Sequence, residues 1–77
     1  MRKATATGSY VLCVLNDGFP ASLLVRRLYR RVPDRNAAAR GLLRVVDESG
    51  EDYLYPEKFF VPIALPRPVA RAMRAAA

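Results

Sequence analysis

The sequence predicts a mainly β protein: five short strands curled into a small barrel, with a short helical turn near 34–40 and a short C-terminal helix. Three observations lead there. The longest uninterrupted apolar run, Tyr10–Leu15, is only six residues, and it lies between Gly8 and the turn signal Asn16-Asp17-Gly18, which fits a buried strand better than a helix. Residues 47–61, DESGEDYLYPEKFFV, read as a polar turn around Gly50 leading into two aromatic-rich strands. At 77 residues, 52% of them apolar and 26% charged, the chain has the composition of one ordinary globular domain, with room for a single core.

Residues 1–8 show no periodicity and are expected to form a flexible N-terminus, with the barrel over 9–66 and a C-terminal helix or tail over 67–77. Tyr10-Val11-Leu12-Cys13-Val14-Leu15 is β-branched and aromatic and ends at Asn16-Asp17-Gly18, which makes it the first strand. Phe19-Pro20-Ala21-Ser22 follows as a loop, with Phe19 set to plug one end of the core. LLVRRLYRRV (23–32) has two registers, one helical and one a bulged strand; the strand is favoured over Arg26–Val32 because Pro33 stops it. In the next segment Asp34 is a candidate N-cap, three alanines favour helix and Gly41 suits the C′ position.

Residues 42–47 and 52–55 form a hairpin across Glu48-Ser49-Gly50-Glu51, where Gly50 supplies a positive φ. Pro56-Glu57-Lys58-Phe59 reads as one tight 3₁₀ turn, and Phe60-Val61-Pro62-Ile63 as an edge strand that Pro62 keeps from pairing on both sides. After Pro66 the alanine-rich end places Arg67, Arg71 and Arg74 on one helical face.

Composition narrows the chemistry. With no histidine and one cysteine, Cys/His zinc sites and imidazole-based triads are excluded. Cys13, inside an apolar strand, reads as a buried thiol. The acids at 47, 48, 51 and 52 lie on a solvated hairpin tip without a cleft and do not follow the spacing of an EF-hand loop, so neither catalysis nor a metal is expected there. The chain is expected to be no enzyme and to need no cofactor. No apolar stretch is long enough to cross a bilayer, and no apolar h-region follows Met1-Arg2-Lys3, so a cytoplasmic location is expected. The net charge of +6 is uneven, with arginines crowding 26–44 and acids crowding 47–57. The acids of the hairpin can face Arg26, Arg30 or Arg44 across the sheet, or leave those arginines for an anionic partner.

LYPEKFFVPI (54–63) resembles the closing segment of SH3 domains, where a strand ends in proline, passes through a 3₁₀ turn with an aromatic and enters the last strand. RRLYRRV followed by LLRVVDESGEDYLYP is similar to the pattern of small bacterial SH3-like proteins, and the likeness runs from about Tyr10 to Ile63. The resemblance implies a five-stranded SH3-like barrel. It also implies that Pro56 and Phe59 take the place of the proline and aromatic that border a peptide groove, with Phe60 and Ile63 in the core. The chain has no tryptophan, the residue that normally divides that groove.

Two functions follow as expectations. In the first, the chain is a non-catalytic interaction domain that binds a protein or peptide through an aromatic and proline patch of Tyr29, Tyr53, Pro56 and Phe59. In the second, Arg26, Arg27, Arg30, Arg31 and Arg44, beside Tyr29 and Tyr53, bind nucleic acid. A homodimer through strand edges is a further option.

Overall fold

The computed structural model describes residues 10–76, with side chains as far as residue 73; the expectation for residues 1–8 lies outside the described residues. The elements follow in the order β1 (Tyr10–Cys13), β2 (Leu28–Val32), α1 (Arg35–Ala39), β3 (Leu42–Val46), β4 (Asp52–Pro56), a 3₁₀ turn (Glu57–Phe59), β5 (Phe60–Ile63) and α2 (Arg67–Ala76). The strands make one antiparallel sheet in the order β4-β3-β2-β1-β5. Its two edge strands do not pair with each other, so the sheet is open.

The strand at the centre of the order changes partner partway. Leu28, Tyr29 and Arg30 of β2 lie opposite Leu12, Val11 and Tyr10 of β1, while Arg31 and Val32 lie opposite Val45 and Arg44 of β3. The sheet therefore turns a corner between Arg30 and Arg31. Rings from the two edge strands meet inside that corner: Tyr55 of β4 and Phe60 of β5 have centroids 6.4 Å apart. Phe19 closes one end of the core as expected, edge-on to Tyr55 at 4.9 Å. Cys13 and Leu23 are fully buried beside them. Such aromatic contacts add about 0.5–1.5 kcal/mol each beyond the area they bury.

The short helix has the expected boundaries for the expected reasons. Asp34 holds extended backbone and its carboxylate accepts the Ala37 N–H at 3.0 Å, and Gly41 follows Arg40 with φ +73°. The left-handed conformation after the last turn is one that glycine adopts without steric cost.

Two strands are shorter than their apolar patterns. β1 ends at Cys13 because the amides of Val14 and Leu15 both turn to one acceptor, the Phe59 carbonyl, at 2.7 and 3.3 Å. β2 begins at Leu28, not Arg26, because Cys13 faces two residues there. Arg26 N–H donates to the Cys13 carbonyl at 2.7 Å, and Cys13 N–H donates to the Arg27 carbonyl at 2.9 Å. This is a β-bulge, and its first residue, Arg26, has φ +71°. Glycine normally fills that position, since a side chain in the left-handed region crowds the backbone. Replacing it should stabilise the fold: Arg26→Gly is expected to raise the unfolding free energy by about 1 kcal/mol, measured by denaturant titration at unchanged slope. A decrease would mean that the arginine side chain contributes more to the fold than its backbone costs.

Candidate functional site

The four residues of the expected aromatic and proline patch do not share a surface. Tyr29 is 5% exposed and Phe59 3%, so both belong to the core, whereas Tyr53 is 58% exposed and Pro56 half-buried. The reason is strand parity. Tyr29 lies opposite Val11, on the face that also carries Val45 and Tyr55, and Phe59 ends the 3₁₀ turn against Phe19 and Phe60. Tyr53 and Tyr55 point to the same face of β4, with centroids 5.3 Å apart, but Tyr53 lies toward the hairpin tip where nothing covers it.

The Tyr29 hydroxyl is fully used inside the protein. It accepts the Leu24 N–H at 2.7 Å and donates to the Glu48 carboxylate at 2.6 Å. Burial, and then Glu48, push this phenol from its ordinary 10.0 up to about 12. Tyr55 matches it on the other side of the hairpin: its hydroxyl donates to Asp47 at 2.6 Å, and burial followed by Asp47 lifts it to about 12.

Asp47 and Glu48, the first two acids of DESGED, thus serve as internal acceptors. Asp47 takes both the amide and the hydroxyl of Ser49, at 2.9 and 2.6 Å, besides the Tyr55 hydroxyl. Burial pushes the Asp47 carboxyl up, but the hydrogen bonds from Ser49 and Tyr55 outweigh it and leave it below the ordinary 3.8. A carboxylate held low in the folded state stabilises that state above its unfolded value, and the gain disappears as the pH falls through the folded value. The hairpin is therefore expected to loosen below pH 3.8, seen as faster amide exchange at Ser49 and Glu51, and Asp47→Asn should remove that pH dependence.

The arginines divide into engaged and available groups. Arg44 bridges two acids, Asp34 at 2.9 Å and Asp52 at 3.2 Å, so the expected pairing across the sheet is found at this arginine. Arg27, rather than Arg26 or Arg30, takes Glu48, at 3.3 Å. Arg31 is half-buried and engaged within the protein. Arg26 and Arg30 are exposed and form no ion pair among the described residues. The ring nearest them in sequence, Tyr29, is buried, so cation and stacking surface are not assembled side by side. Asp34 joins the helix cap to Arg44: the Ala37 amide and then the Arg44 guanidinium hold its carboxyl below the ordinary 3.8. Asp34→Ala is expected to lower the denaturant midpoint by removing both contacts at once, and Asp34→Asn, which keeps the cap, by less.

Register decides what the sheet edges offer. Asp47 N–H donates to the Glu51 carbonyl at 3.0 Å, and Glu57 N–H to the Gly41 carbonyl at 2.9 Å. The odd-numbered residues of β4 therefore bond to β3, and the backbone groups of Asp52 and Leu54 and the Pro56 carbonyl face the open edge. Pro56 sits where the ladder needs no N–H from it. On β5 the outward amide of Phe60 is bonded to the Glu57 carbonyl, and Pro62 has none. Among the described residues, the β5 edge has no donor for another strand and the β4 edge keeps two.

A further surface was missed by sequence reasoning. Val14 and Leu15, just past β1, and Leu24 and Val25, just before the bulge, are all between 36% and 42% exposed. The two segments run side by side, tied by the Asn16 side chain to the Leu23 carbonyl at 2.9 Å and by the bulge at Cys13. In the sequence both pairs lie within apolar runs, Tyr10–Leu15 and Leu23–Val25, that give no sign of being exposed.

Among the described residues no group of three or more acidic or cysteine side chains is placed to hold a metal ion, and no helix is long and apolar enough to cross a membrane. No known protein family matches the chain, and neither does any curated protein or solved structure.

Proposed function

We propose that this chain is a small non-catalytic interaction domain on an SH3-like barrel, which takes a protein or peptide segment in extended conformation along the open edge of β4, beside Tyr53. The barrel reading is supported by the strand order, by the 3₁₀ turn before the last strand and by the ring contact between the two edge strands. The binding reading rests on one observation: the edge strand that still offers two outward amides is also the one that carries the most exposed aromatic ring. Main-chain bonds to an added strand supply affinity, and an exposed ring beside them supplies side-chain selectivity. Pro56 ends the pairing surface on one side and the Asp47–Glu51 turn on the other, which limits the added segment to a few residues.

The test is selection of peptides from a random display library, followed by titration of the winners into the labelled domain. Amide shifts concentrated at Asp52–Pro56, and loss of binding in Tyr53→Ala with the fold intact, are the expected results. Winners that shift other strands, or that bind Tyr53→Ala equally well, would overturn the reading. The second reading, nucleic acid on Arg26 and Arg30, is favoured only by their exposure and by the absence of an ion pair to either among the described residues. It requires affinity for short oligonucleotides that falls steeply with salt and is lost in Arg30→Glu.

A further inference from the structure

The exposed ribbon at the end of β1 has a charge at each end and apolar side chains between. Asp17 follows Asn16 at one end, in the turn closed by Phe19 N–H on the Asn16 carbonyl at 2.8 Å. Arg26 stands at the other, opposite Cys13. Between them lie Val14, Leu15, Leu24 and Val25, each more than a third exposed. Neither Asp17 nor Arg26 has an ion partner among the described residues, and both are exposed.

The ribbon is held rigidly. Leu24 N–H is fixed on the Tyr29 hydroxyl at 2.7 Å, Asn16 is fixed on Leu23, and Leu23 itself is fully buried beneath. A surface ordered before it binds loses little freedom on association. Arg26 also occupies a backbone conformation, φ +71°, in which glycine would be easier to accommodate, so the residue identity there is not explained by the fold.

We propose that this ribbon is a homodimer interface, in which a second copy lies antiparallel on the first. A patch that meets itself across a two-fold axis must be complementary to its own reverse. This one is: reversal sets Arg26 of one copy against Asp17 of the other, twice, with the aliphatic side chains covering one another between the two ion pairs. Other occupants fit less well. Nucleic acid lacks an exposed ring to stack on here. An anionic lipid surface favours a basic face, whereas here Asp17 offsets Arg26. The interface uses neither sheet edge.

The experiment is sedimentation equilibrium over a wide range of protein concentration, with charge-reversal variants. Wild type should associate to a dimer. Arg26→Asp and Asp17→Arg should each weaken it at least tenfold, because each sets like charges together twice. An equimolar mixture of the two single variants should restore a dimer of wild-type strength, as should the double variant within one chain. Aspartate enters the left-handed region more readily than arginine, so Arg26→Asp is expected to remain folded, and circular dichroism of each variant checks this. Wild type that stays monomeric throughout, a dimer indifferent to both single reversals, or a mixture that fails to restore association would each overturn the proposal.

Discussion

Titrated upward from neutral pH, the protein is expected to lose its fold between pH 10.0 and about 12, the interval that separates the ordinary phenol value from those of Tyr29 and Tyr55 in the folded chain. Both phenols hold their protons more tightly when folded than when unfolded. The stability they contribute is complete below 10.0 and falls as the pH climbs toward the folded values. A difference of this size amounts to roughly 2–3 kcal/mol for each phenol. Two of them together come to about 4–6 kcal/mol, which reaches the lower end of the stability of a small domain, about 5–15 kcal/mol. Burial also lifts the Cys13 thiol above its ordinary 9.0, which adds loss in the same direction. Circular dichroism followed against pH, with phenolate absorbance recorded in parallel, reads the transition directly. In the double variant Tyr29→Phe, Tyr55→Phe neither of these two phenols remains to ionise, so the alkaline transition should become shallower and move upward even though lower stability is expected at neutral pH. An equally steep transition in that variant would show that other groups govern alkaline unfolding.

Phe59→Ala is expected to destabilise the protein by about 3–5 kcal/mol, enough to unfold much of the population. Phe59 is almost fully enclosed, against Phe19 at 6.2 Å and Phe60 at 6.4 Å, and its carbonyl takes the amides of both Val14 and Leu15. Removing the ring opens a cavity at the point where β1, the 3₁₀ turn and β5 converge. Thermal or denaturant unfolding measures the cost, and Phe59→Leu, which refills part of the volume, should recover a good share of it. A loss of partner binding in Phe59→Ala would for this reason report on folding, not on contact. Tyr53→Ala is the informative variant for contact, with a stability change within about 0.5 kcal/mol. If Phe59→Ala proved as stable as wild type, the core described here would be wrong at its centre.

The contrast between these two rings shows how far the sequence could be read. Tyr53 and Phe59 look alike in DYLYPEKFF, each an aromatic beside a charged residue, and nothing local says which one is covered. What separates them is the pairing of β4 with β3 and the corner in β2, neither of which is visible in the segment itself. The same holds for charge. That Arg44 would meet an acid could be expected from an arginine-rich strand beside an acidic hairpin. That it would also hold Asp34, ten residues before it and already capping a helix, depends on α1 packing against β3.

Local signals were sufficient wherever a residue's own backbone preference settled the matter. Gly41 and Gly50 mark a helix end and a hairpin, Asp34 a helix start, Pro33, Pro56 and Pro66 the limits of elements, and Pro62 an edge strand, because each of these choices is made within a few bonds. The mainly β class, the hairpin, the 3₁₀ turn and the two helices followed from them. Arg26 broke the rule: an arginine in a conformation suited to glycine gives no warning in the sequence, and the bulge it forms exists only because Cys13 supplies both partners. Exposure, ion pairing and the free edge were decided by tertiary structure alone, since each depends on which distant segments meet. A chain's composition states how many rings and charges it has; only the fold determines which of them water can reach.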